Sequence, residues 1–491
     1  MPSDTDIHQA LAALANAGKF EELVASAVAG LKHAPTDRKL LGFLVSGLLN
    51  FGNAAGVEEV CERALTLDPE NDLALLGLGL AREKIDRDAA QRIFQRLFDR
   101  PNGEVFQGPE GAIKMSHVVD IERWGEAHGS VVLEPSQDVT VFDPATGLES
   151  RYSSDTIICV TVPHGTIVTD WDYVTTPAGE VLNGSGFQVI EFVYRNARHI
   201  VDAKLQKVIH PWPADCVDVD EDALFLSAPP PANFGHWISD FLPRLRAWNR
   251  PGAPPLKVAT SANLDQHQWD TLFLFGLRSR DIIRCMPGKR YRFRNLTVVR
   301  TGFMYRPSPD TTRFLHSKLG PDPALAPKRK AMGRRLLLTR AETTRGRYIA
   351  NPDDLRSLLD ELGFESLRRP EIPVLRQNEI FQDAGIVLGI FGTDIITLYQ
   401  LRPGTDLVVL YPEYMNEPDI STGSIALAGL CAAVGVRLHG ILCKPTAKPG
   451  VKAVYYQDLI VDPDALRDCL YDIIERRSLE YAASWETPTG V

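Results

Sequence analysis

The segment NFGHWISDFLPRL, at 233–245, carries the most distinctive group of polar side chains in the chain. His236 and Asp240 are four residues apart, which places them on one face of a helix. In such a pair one side chain can act as a general base while the other orients it. The same spacing is also typical of a histidine satisfied inside a helical interface and of a helix-surface ion pair. Three more side chains of the segment are candidates for lining a cleft: Asn233, Trp237 and Arg244.

A glycine-rich turn, Gly392-Thr393-Asp394, follows an apolar strand-like run and precedes the helix-like IITLYQL. Turns of this kind expose backbone N–H groups at the positive end of a helix, where a pyrophosphate binds well. Thr393 and Asp394 could equally be simple helix caps. The turn is therefore a candidate phosphate site.

Basic residues follow another strand-like run, LLLT. Arg340 comes directly after it, and Arg345 and Arg347 follow before Asn351. Guanidinium groups bind phosphate oxygens in pairs, so these arginines could clamp a diphosphate. A solvated basic loop is the alternative.

A metal site is not expected. Asp170-Trp171-Asp172 matches the DxD motif that holds a divalent cation in one class of glycosyltransferases. The same pattern occurs at 218–220, 86–88 and 462–464, so the match carries almost no information. We predict no metal and no cofactor.

The elements that would position these residues change character along the chain. From about 115 to 228 the sequence shows short β-like runs separated by turn residues. From about 235 onward, strand-like and helix-like runs alternate, which predicts parallel sheets covered by helices. The strand-like runs are LKVAT, LTVVR, LLLTR, GIVLGIF and TDLVVLYP. A Pro- and Lys/Arg-rich stretch at 321–335 is a plausible linker between two such sheets, and a last helix is expected after Asp462 as N-cap. Ligands of such sheets bind at the carboxyl ends of the strands.

An internal repeat marks the amino-terminal region. Gly18 and Gly52 are separated by 34 residues, and so are Pro35 and Pro69. A period of this length, built from paired amphipathic helices, is the tetratricopeptide signature, although its usual aromatic is missing. Such arrays offer a groove for a peptide or protein partner. Capping of the next domain, or dimerisation, is the alternative.

Bulk composition excludes some classes of function. The net charge of −10 argues against a nucleic-acid partner, which requires a basic face. The start of the chain lacks a secretory signal, and no apolar run has the length of a membrane span. The seven widely spaced cysteines are typical of buried thiols in a reducing compartment. We expect a cytoplasmic protein without a transmembrane segment, with a peripheral position at the inner face of the membrane as the alternative.

The clusters, in this order, resemble family 61 glycosyltransferases. That family has an N-[YF]-x-H-W-x-x-D-x-x-P-R-L block, which the segment at 233–245 matches. Its second half has an Arg after a strand, an R-x-I-x-N stretch, here 347–351, and H-G-A-[GD]-L-T-N, here from Phe391 to Thr397. The resemblance covers about 115–460. It departs where Phe391 and Thr397 replace a family His and Asn.

The resemblance implies a GT-B fold, with two Rossmann-like α/β lobes, and an inverting transfer from a UDP-sugar without metal. Asp240 or His236 would be the base, and Arg340, Arg347 and the Gly392–Asp394 turn would hold the diphosphate. Glu413, just past a strand ending at Pro412, is where a ribose-binding carboxylate would sit. Three domains are predicted: helical repeats at 1–105, an acceptor-side lobe at 106–325, and a nucleotide-sugar lobe at 326–491.

Three functions remain open at this stage. The first is transfer to a polysaccharide or lipid-linked glycan. The second is transfer to a protein presented by the repeats, and the third is a non-catalytic scaffold derived from such an enzyme.

Overall fold

The architecture was obtained as a computed structural model. It describes residues 4–83, 85–101, 104–108, 111–169, 173–184, 195–196, 199–202, 206–227, 234–248, 250–252, 254–302, 306–321, 333–339, 347–392, 398–416, 422–446 and 457–486. These residues form a helical segment followed by two sheets that contain parallel strands, together with the helices that cover them.

The amino-terminal segment consists of three helical hairpins. Their helices are α1 (Asp4–Asn16), α2 (Phe20–His33), α3 (Arg38–Asn50), α4 (Ala54–Leu67), α5 (Asp72–Arg82) and α6 (Arg87–Phe98). Gly18 and Gly52 occupy equivalent turns with the same left-handed φ of 69°, a conformation that favours glycine. The repeated hairpins are present as predicted, and their identity as tetratricopeptide repeats stays a prediction.

The last hairpin is docked onto a sheet. Phe94 and Phe98 of α6 are fully buried in one hydrophobic cluster with Ile113, Met115 and Ile209, which belong to sheet strands. The helical segment therefore shares its core with the domain that follows it.

A sheet of fourteen strands follows. Its amino-terminal elements are β1 (Val105–Gly108), β2 (Gly111–Asp120), α7 (Ile121–His128), β3 (Ser130–Glu134), a separate hairpin of β4 (Asp138–Asp143) and β5 (Leu148–Ser153), β6 (Ile157–Pro163), β7 (Thr166–Val168), β8 (Tyr173–Thr175), β9 (Val181–Asn183), β10 (Arg195–Asn196), β11 (His199–Asp202), β12 (Lys207–Pro211) and β13 (Cys216–Phe225). Most of these strands pair antiparallel, as short strands with tight turns do.

The sheet ends in a parallel part. It adds α8 (Phe234–His236), β14 (Lys257–Ser261), α9 (Gln266–Leu274), β15 (Ile282–Cys285), β16 (Arg290–Arg300) and α10 (Pro309–Leu319). The order here is β16-β13-β14-β15, and every neighbouring pair is parallel. The predicted strands LKVAT and LTVVR are confirmed as β14 and the end of β16. From β13 the strands follow in chain order to β15 on one side, whereas β16 lies on the other side of β13. The reversal point of the strand order is therefore between β16 and β13.

The second sheet is parallel except at one edge. It contains β17 (Arg334–Thr339), α11 (Pro352–Glu361), β18 (Phe364–Arg368), α12 (Val374–Gln382), β19 (Ala384–Ile390), β20 (Asp406–Pro412), α13 (Thr422–Val434), β21 (Arg437–Thr446), β22 (Asp458–Ile460) and α14 (Pro463–Glu486). The strand order is β18-β17-β19-β20-β21-β22, so its parallel strands run 2-1-3-4-5. A doubly wound sheet of this order reverses direction between its first and third strands, here β17 and β19.

Sequence predictions for this half agree with the structure. The predicted strands LLLTR, GIVLGIF and TDLVVLYP correspond to β17, β19 and β20, although each prediction includes one residue beyond the strand. The last helix begins at Pro463, and Asp462 caps it by accepting a hydrogen bond from the Asp464 N–H at 2.9 Å. Most of the proposed linker at 321–335 lies outside the described residues.

The β4–β5 hairpin of the first half packs on the second sheet's helix α13. Ser424 donates a hydrogen bond to the buried carboxylate of Asp143 at 2.8 Å. Tyr152 lies against Gly429, where a Cβ atom would fall 2.1 Å from its hydroxyl. The two sheets are thus joined by direct contacts.

Two expectations concern the whole chain. Five of the seven cysteines are buried as expected, but Cys216 is exposed and Cys469 half-buried, so that prediction is wrong for Cys216. It failed because Cys216 opens β13 at the edge of a cavity. No helix among the described residues is long and apolar enough to cross a membrane.

Candidate active site

The polar cluster lies in an irregular helical segment beyond the carboxyl end of β13. After α8 the backbone forms a π-helical turn, Trp237–Phe241, and then a 3-10 turn, Leu242–Ala247. Pro243 has no N–H to donate to the preceding turn, which disfavours a continuous α-helix at this point. Single π-turns inside helices occur often at functional sites. Asn233 lies outside the described residues.

His236 and Asp240 form the predicted pair. The Nδ1 atom of His236 lies 2.8 Å from Oδ2 of Asp240, and the Ser239 hydroxyl donates to Oδ1 at 3.0 Å. Because the carboxylate accepts, Nδ1 carries the proton and Nε2 is the basic nitrogen. The His236 side chain is 26% exposed and the Asp240 side chain 10%. The imidazole is the more accessible of the two.

Two buried side chains of this segment attach it to neighbouring elements. Trp237 is fully buried and donates its indole N–H to the Thr271 hydroxyl at 2.7 Å. The Arg244 guanidinium, also buried, donates to the Leu226 carbonyl at 2.6 Å, just past the end of β13. Both side chains fix the helical segment to the sheet, and their contact with an acceptor stays a prediction.

A second strand end also reaches the pair. Thr301 follows the carboxyl end of β16, and its hydroxyl donates to the Asp240 carbonyl at 3.2 Å. The pair therefore lies at the reversal point between β16 and β13, where sheets of this kind bind ligands.

Tyr399, which lies between β19 and β20 in the chain, belongs to the half that contains the second sheet. Burial raises the pKa of the Tyr399 phenol, and the negative charge of Asp240 adds to that effect. A small cavity of about 40 Å³ is lined by Ser239, Thr301 and Tyr399, among others. Elements from both sheets therefore meet at the His236–Asp240 pair.

Most of the predicted phosphate-binding residues lie outside the described residues: Arg340, Thr393 and Asp394. Thr339 is the last residue of β17, and Gly392 lies two residues beyond the end of the adjacent strand β19. Gly392 has a φ of 144°, which side chains other than glycine rarely adopt. That these residues bind a diphosphate stays a prediction.

Arg347 and Glu413 lie elsewhere on the carboxyl side of this sheet. Arg347 is half-buried, and the next residue, Tyr348, donates its backbone N–H to Asp458 of β22 at 3.0 Å. Glu413 is exposed and opens a 3-10 turn directly after β20. Both positions are compatible with a ligand lying along this edge.

Phe391 fills an apolar position. Its ring lies 5.2 Å from that of Tyr411 and near Gly423 at the start of α13. It therefore acts as a packing residue under the helix, where the resembling family has a histidine.

Sequence reasoning missed three residues next to the pair: Ser239, Thr301 and Tyr399. Thr301 could have been found, because it directly follows a predicted strand. Tyr399 lay in a run interpreted as an ordinary helix, so nothing in its spacing marked it. Asp170 and Asp172 lie outside the described residues, and among those described no group of three His, Cys, Asp or Glu could hold a metal.

Comparison with known protein families gives one match. Residues 234–408 match the family described as Glycosyltransferase 61, a stretch from the His236–Asp240 segment into β20. A search of curated proteins found no match to the chain.

Proposed function

We propose that the protein is an inverting enzyme, which reverses the configuration at C1 of the sugar that it transfers. The premise is that residues 234–408 form a glycosyltransferase family 61 domain and that the protein is a glycosyltransferase. The donor is a nucleotide sugar, UDP-linked, and the acceptor is a polysaccharide or a lipid-linked glycan. The two sheets would be the lobes of a GT-B enzyme. The hydrogen-bonded His236–Asp240 pair, where elements of both sheets meet, carries this proposal.

In this proposal His236 is the base. Its Nε2 takes the proton of the acceptor hydroxyl while the oxygen attacks C1 of the donor sugar. The bond from C1 to the diphosphate breaks, and the diphosphate leaves with the electron pair. Asp240 keeps Nδ1 protonated and stabilises the imidazolium as it forms. Asp240 is the less suitable base because both its oxygens accept hydrogen bonds.

The departing diphosphate would bind at the reversal point between β17 and β19. Arg340 and the Gly392–Asp394 turn follow these strands and offer a guanidinium group and backbone N–H groups. Arg347 and Glu413, at the same carboxyl side, would contact the outer phosphate and the ribose. This positive charge would stabilise the leaving group without a metal.

The test is release of nucleoside diphosphate from a panel of nucleotide sugars. With the active donor, His236→Ala should lower the rate by roughly 10²–10⁴-fold, the usual contribution of a general base. Donor binding, measured by thermal shift, should be unchanged. His33→Ala, an exposed histidine of α2, is the matched control.

The activities of Asp240→Asn and His236→Ala, compared with each other, distinguish the two possible bases. If Asp240 orients His236, both variants lose activity. If Asp240 is itself the base, His236→Ala should retain most of the activity. That outcome would refute the assignment of the base but not the family.

A protein acceptor is the second candidate, favoured by the three helical hairpins. Removing residues 1–36 deletes the first hairpin but leaves α5 and α6 on the sheet. Transfer to protein should then disappear while hydrolysis of the donor continues. The family match argues against the scaffold alternative, and the cytoplasmic location stays a prediction.

A further inference from the structure

A second cavity lies at the opposite end of the strands that lead to the active site. It has a volume of about 640 Å³, within the range of small-molecule sites. Cys216 at the start of β13 and Arg290 at the start of β16 both line it. The active-site residues follow the other ends of these strands. Ten residues of strand span roughly 30 Å, so the two sites are well separated.

Lys114 is a largely buried lysine whose side chain lines this cavity. The residue is only 7% exposed and lines the cavity wall. Among the described residues no hydrogen bond and no carboxylate partner of its Nζ is found within reach; its contact is with the ring of Trp212, 3.9 Å from the centroid. A lysine is almost never buried in this way unless it is paired.

The backbone beside Lys114 leaves room for the ammonium group. Gly179 has a left-handed φ of 80°, and a Cβ atom there would fall 2.8 Å from the lysine Nζ. Any larger residue would fill the space next to the charge.

Arg290 adds a second cation against the same ring. Its guanidinium carbon lies 4.3 Å from the Trp212 centroid, and the group donates to the carbonyls of Pro213 and Ala214. Burial lowers the pKa of Lys114, and the charge of Arg290 lowers it further. The two cations therefore repel each other, and an anion bound between them would reduce that repulsion.

The rest of the described lining is nearly balanced in charge. Arg292 is paired with Asp218 at 2.6 Å, and Arg294 with Asp220 at 3.1 Å. Lys114 and Arg290 thus leave the lining with an excess of two positive charges, in a chain whose net charge is −10. These two positive charges are concentrated at the wall of the cavity.

We propose that this cavity binds an acidic sugar of the acceptor glycan, with Lys114 and Arg290 contacting its carboxylate or phosphate group. Hydroxyl-bearing threonines of β7 and β8, Thr166 and Thr175, line the same cavity. The identification of the ligand as a glycan rests on the proposed function. The anionic character of the ligand rests on the cavity alone.

The experiment is calorimetric titration of the full chain with three probes. They are a hexasaccharide containing glucuronate, the matching neutral glucose hexasaccharide, and glucose 6-phosphate. The glucuronate or the phosphate probe should bind at least about tenfold more tightly than the neutral sugar, because charged hydrogen bonds are the strong ones. The two acidic probes show which anion the site prefers. Equal binding of neutral and acidic probes, or no binding, would overturn the proposal.

Lys114→Met tests the residue itself. It should weaken acidic-probe binding at least about tenfold, whereas Lys318→Met, the same change at an exposed position of α10, should not. The Lys114→Met protein should melt no lower than wild type, because it loses a buried charge without a carboxylate partner. If it fails to fold, Arg290→Met serves instead. Equal weakening by Lys318→Met would indicate general charge attraction and refute the site.

Nucleotide binding separates this proposal from the proposed function. Both lysine variants should keep the thermal shift produced by UDP. If UDP shifts the melting temperature but no acidic sugar binds, the proposed transferase function stands and the second site is overturned. Acidic-sugar binding that depends on Lys114, without any nucleotide binding, keeps an acidic-sugar site and overturns the proposed transfer.

Discussion

Asp406 allows a prediction whose size follows from its surroundings. It is the first residue of β20, and its carboxylate is fully buried. It accepts hydrogen bonds from Arg477 at 2.7 Å, His439 at 2.9 Å and Arg437 at 3.2 Å. Arg476 of α14 contributes another at 2.5 Å. These groups attach the last helix to the amino-terminal edge of the second sheet.

The cationic partners outweigh the burial of this carboxylate and lower its pKa from 3.8 to about 2. At 1.36 kcal/mol for each pKa unit, the ionised carboxylate contributes about 2 kcal/mol to stability at neutral pH. A lowered folded-state pKa means that this contribution is complete above about pH 4. It disappears as the pH falls through about 2, and roughly half remains at pH 3.

We expect Asp406→Asn to lower the free energy of unfolding at pH 6 by about 2 kcal/mol, since it removes the charge that the arginines and His439 stabilise. Calorimetry should show a melting temperature lower by roughly 2–4 °C. The gap between variant and wild type should narrow by about 1 kcal/mol at pH 3. Asp468→Asn, at an exposed position of α14, should change little. A gap that stays constant from pH 6 to pH 3 would refute the role of the Asp406 charge.

Three further predictions concern packing. Gly429→Ala should destabilise the protein by about 1–3 kcal/mol because its methyl group meets the hydroxyl of Tyr152, and adding Tyr152→Ala should recover part of the loss; urea unfolding measures both. Trp237→Phe should cost roughly 1–2 kcal/mol by removing the hydrogen bond to Thr271, and thermal unfolding would show it; an unchanged melting temperature would contradict that contact. Deleting 1–104 should expose apolar sheet residues and cause aggregation, detectable by light scattering, so a stable monomer would contradict the shared core.

Much of the second sheet was predictable because its strands are buried on both faces. β19 and β20 contain apolar runs between turn residues, and each is buried over its whole length. Asp462 before Pro463 predicted the start of α14 for the same kind of local reason. Strand order was not predictable, since it depends on contacts between residues distant in the chain.

The first sheet shows more clearly what could not be predicted from the sequence. Its short strands could be recognised, but the docking of the β4–β5 hairpin on α13 could not. That contact depends on Gly429, which leaves space for Tyr152, and on Ser424, which reaches Asp143. Each of these residues looks ordinary in the sequence.

The candidate site also has features that could be predicted from the sequence and features that could not. The spacing of His236 and Asp240 predicted their contact, because four residues make one helical turn. The π-turn around them and the approach of Tyr399 arise only when both sheets are assembled. Lys114 was missed because a lone lysine in a β-like run gives no sign of being buried.

The strand β2 links the helical segment to the second cavity. Ile113 and Met115 pack against the helices on one face of β2, while Lys114, between them, lines the cavity. Alternate side chains of a strand point to opposite faces, so this division follows from the backbone. The packing of α6 fixes the strand that holds the Lys114 ammonium group. The hairpins are therefore part of the structure that builds this cavity, whether or not they also bind a partner.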